Sequence, residues 1–476
     1  MKIAFYFLLF LSFSVGFAQQ DMTMYNMQEI PQSNYSNPSN RFNGSFYVGL
    51  PGISSTYMSF SNSDFAYSDA IKKVGDSLNV DFQNVLDMVN DDNYLSFNTR
   101  VDLLSFGLTI SPTTQLFFNM TENLNLRMNY TKDFIELIYK GNAGFDDNTA
   151  NFEGIGISLN HYREYAFGIS HQLNEKLRIG GKLKYLYGME NIYSERTDIS
   201  LVTDPQTFEL TFLADISIKT SGINEFDYNN ERGSNYFFNR KNRGFAVDVG
   251  ANYEVNDKLS LNASILDLGA IKWRNNTVSY SNNGEEFVYN GIELNAFAEE
   301  GEQSAINDGE TSFDRVLDSL EKSLAIDTIY DSYTAPITSR FYIGANYKLN
   351  EQSMVSGVIQ SEVFQRKIIP SITFSYNRKV AESFGVAGSY TIINGSFTNL
   401  GIGLNYNPGP MQIYAVADNV FGVFWPQHNR HIQIRFGFNF IFGSTKSKML
   451  NPAFSYEEGS SSKSKSASNT EEQQTK

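Results

Sequence analysis

Residues 431–443, HIQIRFGFNFIFG, put Ile432, Ile434, Phe436, Phe438, Phe440 and Phe442 at every second position, with Gln433, Arg435, Gly437 and Asn439 between them. A β-strand sends alternate side chains to opposite faces, so this one has an apolar face and a polar face. The pattern recurs in pairs. REYAFGISHQL-NEK-LRIGGKLKYLYG (163–188) and GFAVDVGANYEV-NDK-LSLNASILDLG (244–269) each join two alternating runs through a short polar turn. RFYIGANYKL-NEQ-SMVSGVIQ (340–360), 371–390 and 399–418 repeat the arrangement. Short Asn- or Gly-bearing turns between alternating runs mark antiparallel hairpins.

The connections are sorted. The tight turns at 174–176, 256–258, 350–352, 379–382 and 407–410 fall on one side, and the segments 189–243, 269–337, 361–370, 391–398 and 419–430 fall on the other. Alternation of short with long connections is the habit of an up-and-down outer-membrane barrel; a soluble sandwich has no reason for it. Before residue 131, further strands are expected at 44–50, 54–60, 102–110, 115–121 and 123–130. The expectation is an all-β, closed antiparallel transmembrane barrel over 44–443 of about 14 strands, with an even number between about 12 and 16.

An Arg on the lipid face at mid-membrane costs roughly 2–4 kcal/mol. The charged faces therefore point inward. This assigns Arg178, Lys182, Lys184, Asp248, Asn252, Glu254, Gln433, Arg435 and Asn439 to the lumen. Trp273, Trp425, Tyr185 and Tyr187, near the outward strand ends, are assigned to an aromatic belt at the membrane surface.

Composition agrees with a barrel. Mean hydropathy is only −0.32, yet the chain holds 39 Phe, 28 Tyr and 35 Gly. Polar lumen residues dilute the hydropathy of a barrel without reducing its aromatic content. A net charge of −15 excludes a phosphate-binding nucleic-acid protein. With no Cys, the chain makes no disulfide, no thiolate metal site and no Cys-linked lipid anchor. The start, MKIAFYFLLFLSFSVGFA, reads as a signal peptide over 1–18. Residues 19–43, rich in amides with Pro31 and Pro38, are either a hatch folded back into the lumen or a disordered leader. Helical spacing occurs at 80–90, 132–141 and 311–326, the last inside the long 269–337 loop. The Ser-, Lys- and Glu-rich 444–476 reads as a disordered periplasmic tail.

VGLPGIS (48–54), KDFIELIYKGNAGF (132–145) and HYREYAFGIS (161–170) together resemble a Bacteroidota outer-membrane barrel family whose members carry no assigned function. That resemblance implies an architecture similar to the long-chain fatty-acid transporter barrels, with an N-terminal hatch in the lumen. MYNMQEIPQSNYSNPS (24–39) also resembles the mature start of barrels that accompany type IX secretion and gliding, although Ser39 follows its Asn-Pro.

No chemistry is legible. Ser170 and His171 are strand neighbours and point apart, and no G-x-S-x-G, H-E-x-x-H or Walker run occurs. His428 and His431 read as a surface pair, and His171 as an interfacial imidazole. The expectation is a non-enzyme with no cofactor and no metal. The function expected is a plugged channel for hydrophobic or amphipathic small molecules, with an apolar pocket on its lumen side. The alternative is a membrane-anchored scaffold or accessory subunit of a secretion, gliding or surface-assembly complex. The partners follow: outer-membrane lipid in either case, a small hydrophobic ligand in the first, a protein complex in the second.

Overall fold

A computed structural model describes residues 21–443 apart from 146, 208, 224–240, 283–284, 290–326, 365–366 and 394–395. The signal reading (1–18), the tail (444–476) and the helix expected at 311–326 lie outside the described residues.

Fourteen staves close into one antiparallel ring. The first, β1, comes in two pieces, Phe46–Gly49 and Thr56–Asn62. There follow β2 (Asp92–Ser111), β3 (Thr114–Thr131), β4 (Gly156–Gln172), β5 (Leu177–Thr203), β6 (Arg243–Glu254) and β7 (Leu259–Trp273). The rest are β8 (Ser339–Asn350), β9 (Ser353–Phe364), β10 (Lys367–Ala381), β11 (Phe384–Ile393), β12 (Ser396–Tyr406), β13 (Met411–Ala417) and β14 (His431–Phe442). Each pairs with its neighbour in sequence, and closure comes from β1 lying against β14, with Phe46 opposite Phe442 and Thr56 opposite Phe436. Closure leaves no unpaired edge, which lipid would not tolerate.

The apolar stripes face outward. Phe167 is 64% exposed and Ile343 67%, while Lys182, Lys184 and Arg435 on the opposite faces are 2–3% exposed. Exposure of large aliphatic and aromatic side chains all round a closed wall is stable only where hydrocarbon replaces water. The wall is that of an outer-membrane barrel.

Two loop expectations are corrected. The segment 189–243 is not loop throughout. Strand β5 runs on to Thr203, and 210–221 returns along it, itself paired with 277–281 and 285–289. At about 3.3 Å per residue a strand as long as β5 reaches roughly 90 Å, far more than a membrane requires. Its outer half has no lipid on either side, so the sequence there records no contrast between two solvents. The second correction concerns 361–370 and 391–398, where strands continue until only two residues separate β9 from β10 and β11 from β12. The sorting of long connections to one side thus fails at these two places.

The expected helices at 80–90 and 132–141 are present as Phe82–Met88 and Lys132–Lys140, each capped by a side chain, Asp81 and Thr131, that accepts a backbone N–H.

Candidate functional site

Residues 21–43 lie inside the ring. They contain two short 3-10 turns, Met24–Asn26 and Pro31–Tyr35, and almost no surface of this segment is exposed. The placement follows from its partners. Thr23 bonds Ser389 on β11, Tyr25 donates to Asn262 on β7, and Asn26 donates to Ser375 on β10. Tyr35 donates to Asp102 on β2 at 2.6 Å, and Ser39 accepts from Asn252 on β6. Gln32 and Asn439 on β14 exchange bonds at 2.8 and 2.9 Å, and Gln412 on β13 donates to the Glu29 carbonyl. A segment touching staves on every side of a closed ring has to be inside it.

The wall is shaped for this segment. Gly180 on β5 and Gly250 on β6 are register partners. A Cβ on Gly180 would lie 2.2 Å from the Pro38 carbonyl oxygen, and one on Gly250 would lie 2.2 Å from Asn37 Oδ1. Glycine permits the close approach of two backbones that a side chain would hold apart. Three apolar anchors fix the segment further. Met22 and Tyr25 pack with Leu266, Tyr342 and Val358. Met24, Met27 and Ile30 pack with Ala387, Tyr414 and Val416, and Phe42 packs with Tyr47, Phe117 and Ile441.

A band of charge crosses the lumen beside the Tyr35 end of this segment. Lys184 Nζ lies 2.5 Å from Asp267, 2.8 Å from Asp248 and 3.4 Å from Glu164. Arg100 pairs with Glu164, and Arg340 with Asp267 at 2.6 Å. Arg100 and Lys182 both stand over the Tyr35 ring, at 4.5 and 4.7 Å, and Lys182 also donates to Asn34. Four cations (Arg100, Lys182, Lys184, Arg340) face four carboxylates (Asp102, Glu164, Asp248, Asp267), a balance that burial of so many charges requires. At the far end of the segment, Asp21 pairs with Arg435 at 2.7 Å, and Asp418 accepts from the backbone N–H groups of Met22 and Thr23.

Beyond the charge band the lumen opens toward the outside through a small vestibule of about 70 Å³. Asn98, Asn123, Asn125, Asn160 and Arg127 line it, with Tyr162, Ile337 and Phe364 as apolar patches. Arg127 stacks between the rings of Tyr94 and Phe364, at 4.2 and 4.8 Å. The space is polar, where an apolar pocket was expected. Its side chains come from the inward faces of long strands, and those faces alternate with the greasy outer face by strand geometry alone.

Of the nine residues read as lumen-lining, all but Glu254 are buried, on strand faces opposite the exposed apolar side chains. Lys182, Asn252, Arg435 and Asn439 contact residues 21–43. Lys184 and Asp248 belong to the charge band, where Asp248 also accepts the Asp267 N–H. Arg178 donates to Gln172, Gln433 is buried, and Glu254 lies half-buried near the turn. Arg100, Asp102, Glu164, Asp267 and Arg340 had escaped sequence reading. Asp267 sits where both it and Leu266 face inward, and its φ is +60°. The β6–β7 register slips there. A bulge exchanges the two faces of the strand beyond it.

That same bulge overturns one belt assignment. Trp273, six residues past Asp267, is 0% exposed and packs with Leu186, Ile271 and Tyr333, so it is not at a lipid boundary. Tyr187 is also buried, against Met189, whereas Tyr185 is half-buried beside Phe245. Trp425 is exposed, next to Phe421 and Phe424. The two loop histidines are not a surface pair: His428 bonds Ser68, but His431 is buried in the lumen. His171 bonds Thr114. Among the described residues there is no group of three metal-ligating side chains.

No curated protein matches the sequence. Among solved structures, the chain is similar to the Pseudomonas putida toluene transporter TodX, with 8% identity over 90% of this chain and 93% of that one and a TM-score of 0.38. It is similar to a Pseudomonas aeruginosa FadL homologue, with 8% identity over 87% and 94% and a TM-score of 0.40. It is also similar to the translocator domain of the autotransporter NalP from Neisseria meningitidis, with 6% identity over 89% and 100% and a TM-score of 0.33. The family model DUF5723, described as a family of unknown function, matches residues 38–418, and the chain belongs to that family.

Proposed function

We propose that the protein is a plugged outer-membrane channel for small amphipathic molecules, entered from the outer vestibule and closed by residues 21–43. One observation carries the reading. The N-terminal segment fills the periplasmic part of the ring through bonds to opposite walls, while a small vestibule remains in the outer part, lined by amides, by the guanidiniums of Arg100, Arg127 and Arg340 and by the carboxylates of Asp267 and Glu362. The Asn side chains and Arg127 supply donors for a polar head, and Tyr162, Ile337 and Phe364 supply contact for an apolar tail. Removal of a signal ending at Ala18 would leave the plug as the first segment of the mature chain.

The test is uptake of hexanoate into liposomes carrying the protein. A barrel lacking 21–43 is expected to admit hexanoate faster than the full chain. Equal rates from two folded barrels would sink the reading.

The scaffold reading keeps one observation in its favour: the sheet built on the outer half of β5, from 210–221, 277–281 and 285–289, stands outside the membrane wall. Crosslinking in intact outer membranes separates the two readings. A stoichiometric protein partner supports the scaffold, and a solitary barrel supports the channel.

A further inference from the structure

The plug does not meet the wall evenly. On the β13–β14–β2 side every amide of the contact is engaged: Gln412 bonds Glu29, Asn405 and Asn439, and Asn439 bonds Gln32. Ser105 on β2 bonds Tyr47 and Asn119. Buried polar atoms without a hydrogen-bond partner among the described residues also occur on β1 and β14, at Tyr57, Ser61 and both His431 nitrogens, but the two amides with neither atom engaged lie on the β8–β10 side. Asn346 and Gln360 are 3% and 0% exposed, yet neither the oxygen nor the nitrogen of either amide has a partner among the described residues. Ser356 Oγ and Asn377 Nδ2 are in the same condition.

These groups form a line. Asn346 is the register partner of Ser356, and Ser356 of Ser375, beside Asn377. Farther out on β9 comes Gln360, and beyond it Glu362, which with Arg340 lines the vestibule. Buried polar groups without a protein partner are normally satisfied by water. Between Ser356 and Gln360 the line is interrupted once. The inward residue there is Val358, packed with Met22 and Tyr25 of the plug and with Tyr342, whose ring stacks on Tyr25 at 5.0 Å.

We infer that the seam between the plug and β8–β10 is a permeation path for water and small uncharged polar solutes, gated at its waist by Met22, Tyr25, Tyr342 and Val358. The seam offers amide and hydroxyl groups, so it presents donors and acceptors without net charge. A short apolar constriction between two polar chambers closes by excluding water, and it opens when a small displacement widens it. The plug turn that carries Met22 and Tyr25 is the movable side of this gate. The inference rests on the plugged-channel reading and adds a route beside the plug for water and for solutes smaller and more polar than the amphipathic ones.

The chain contains no cysteine, so single substitutions report one site each. The full-length barrel, folded in liposomes, is treated with the small uncharged reagent methyl methanethiosulfonate. Three matched pairs are compared: Ser356→Cys with Ser105→Cys, Gln360→Cys with Gln412→Cys, and Asn346→Cys with Asn439→Cys. The seam member of each pair is expected to react about tenfold faster, equivalent to about 1.4 kcal/mol in opening free energy. Equal or reversed rates overturn the seam. The serine pair, which changes one atom, decides if the amide pairs disagree. Val358→Ser is expected to raise the osmotic water permeability of liposomes carrying the barrel several-fold; unchanged permeability in a barrel that passes the labelling test overturns the gate. A plug-deleted barrel that does not conduct would refute the channel reading itself. One that conducts while the pairs react alike refutes the seam alone.

Discussion

Replacing Lys184 by Met would leave a specific carboxylate stranded. In the native chain its ammonium contacts Asp248, Asp267 and Glu164, and all four side chains are at most 8% exposed. After the replacement, Asp267 keeps Arg340, which holds it through two nitrogens at 2.6 and 3.2 Å, and Glu164 keeps Arg100. Asp248 loses the only ion pair it makes among the described residues. Breaking a buried pair by removing one partner costs about 3–5 kcal/mol, most of it the uncompensated charge. The cost should fall on Asp248, so Asp248→Asn in the same chain should recover most of it. Asn retains an Oδ1 to accept the Asp267 N–H, a bond of 2.7 Å that holds the bulge. The assay is urea unfolding of the detergent-folded barrel, followed by its heat-modifiable shift on gels, for wild type, both single variants and the double. The reasoning is refuted if Lys184→Met costs less than about 1 kcal/mol, the worth of a solvated surface pair. It is equally refuted if the double variant is no more stable than Lys184→Met.

Three further outcomes follow from the same geometry. Gly180→Val should push the plug off the wall, because even a Cβ would meet the Pro38 carbonyl at 2.2 Å; limited proteolysis should then cut within 21–43, and an uncut plug counts against the fit. Asp21→Asn should loosen the far end of the plug by leaving Arg435 in the lumen with Ser55, the Tyr57 ring and the weaker amide in place of its ion pair, raising liposome leak. Unchanged leak argues against the ion pair as an anchor. Trp273→Phe should leave a single emission from exposed Trp425 that acrylamide quenches, whereas Trp425→Phe should leave the buried Trp273, blue-shifted and protected. Equal quenching would put Trp273 back at the surface.

Strand count and facing were legible because lipid and lumen are two different solvents, and each strand crossing between them must alternate. Ile432 to Phe442 shows this at its simplest. The alternation fades where only one solvent is present, as in the outer half of β5, and there a strand was read as loop. It misleads past Asp267, where a bulge inverts the faces and carries Trp273 inward. Glu164 and Arg340 were visible as charges in strand-like stretches, and Arg100 lies just before the strand expected at 102–110, but their common level in the lumen depends on the stagger of staves far apart in sequence.

The chain by itself thus determined a closed wall, its inside and its outside, because hydrophobic periodicity is local and is enforced residue by residue by the cost of charge in hydrocarbon. It did not determine what fills the ring. Residues 21–43 carry no period, and their place is set by single hydrogen bonds to nine or more staves, each weak and none encoded nearby. Only tertiary structure, which brings those staves around the segment at once, could make that sum exceed the entropy of ordering it.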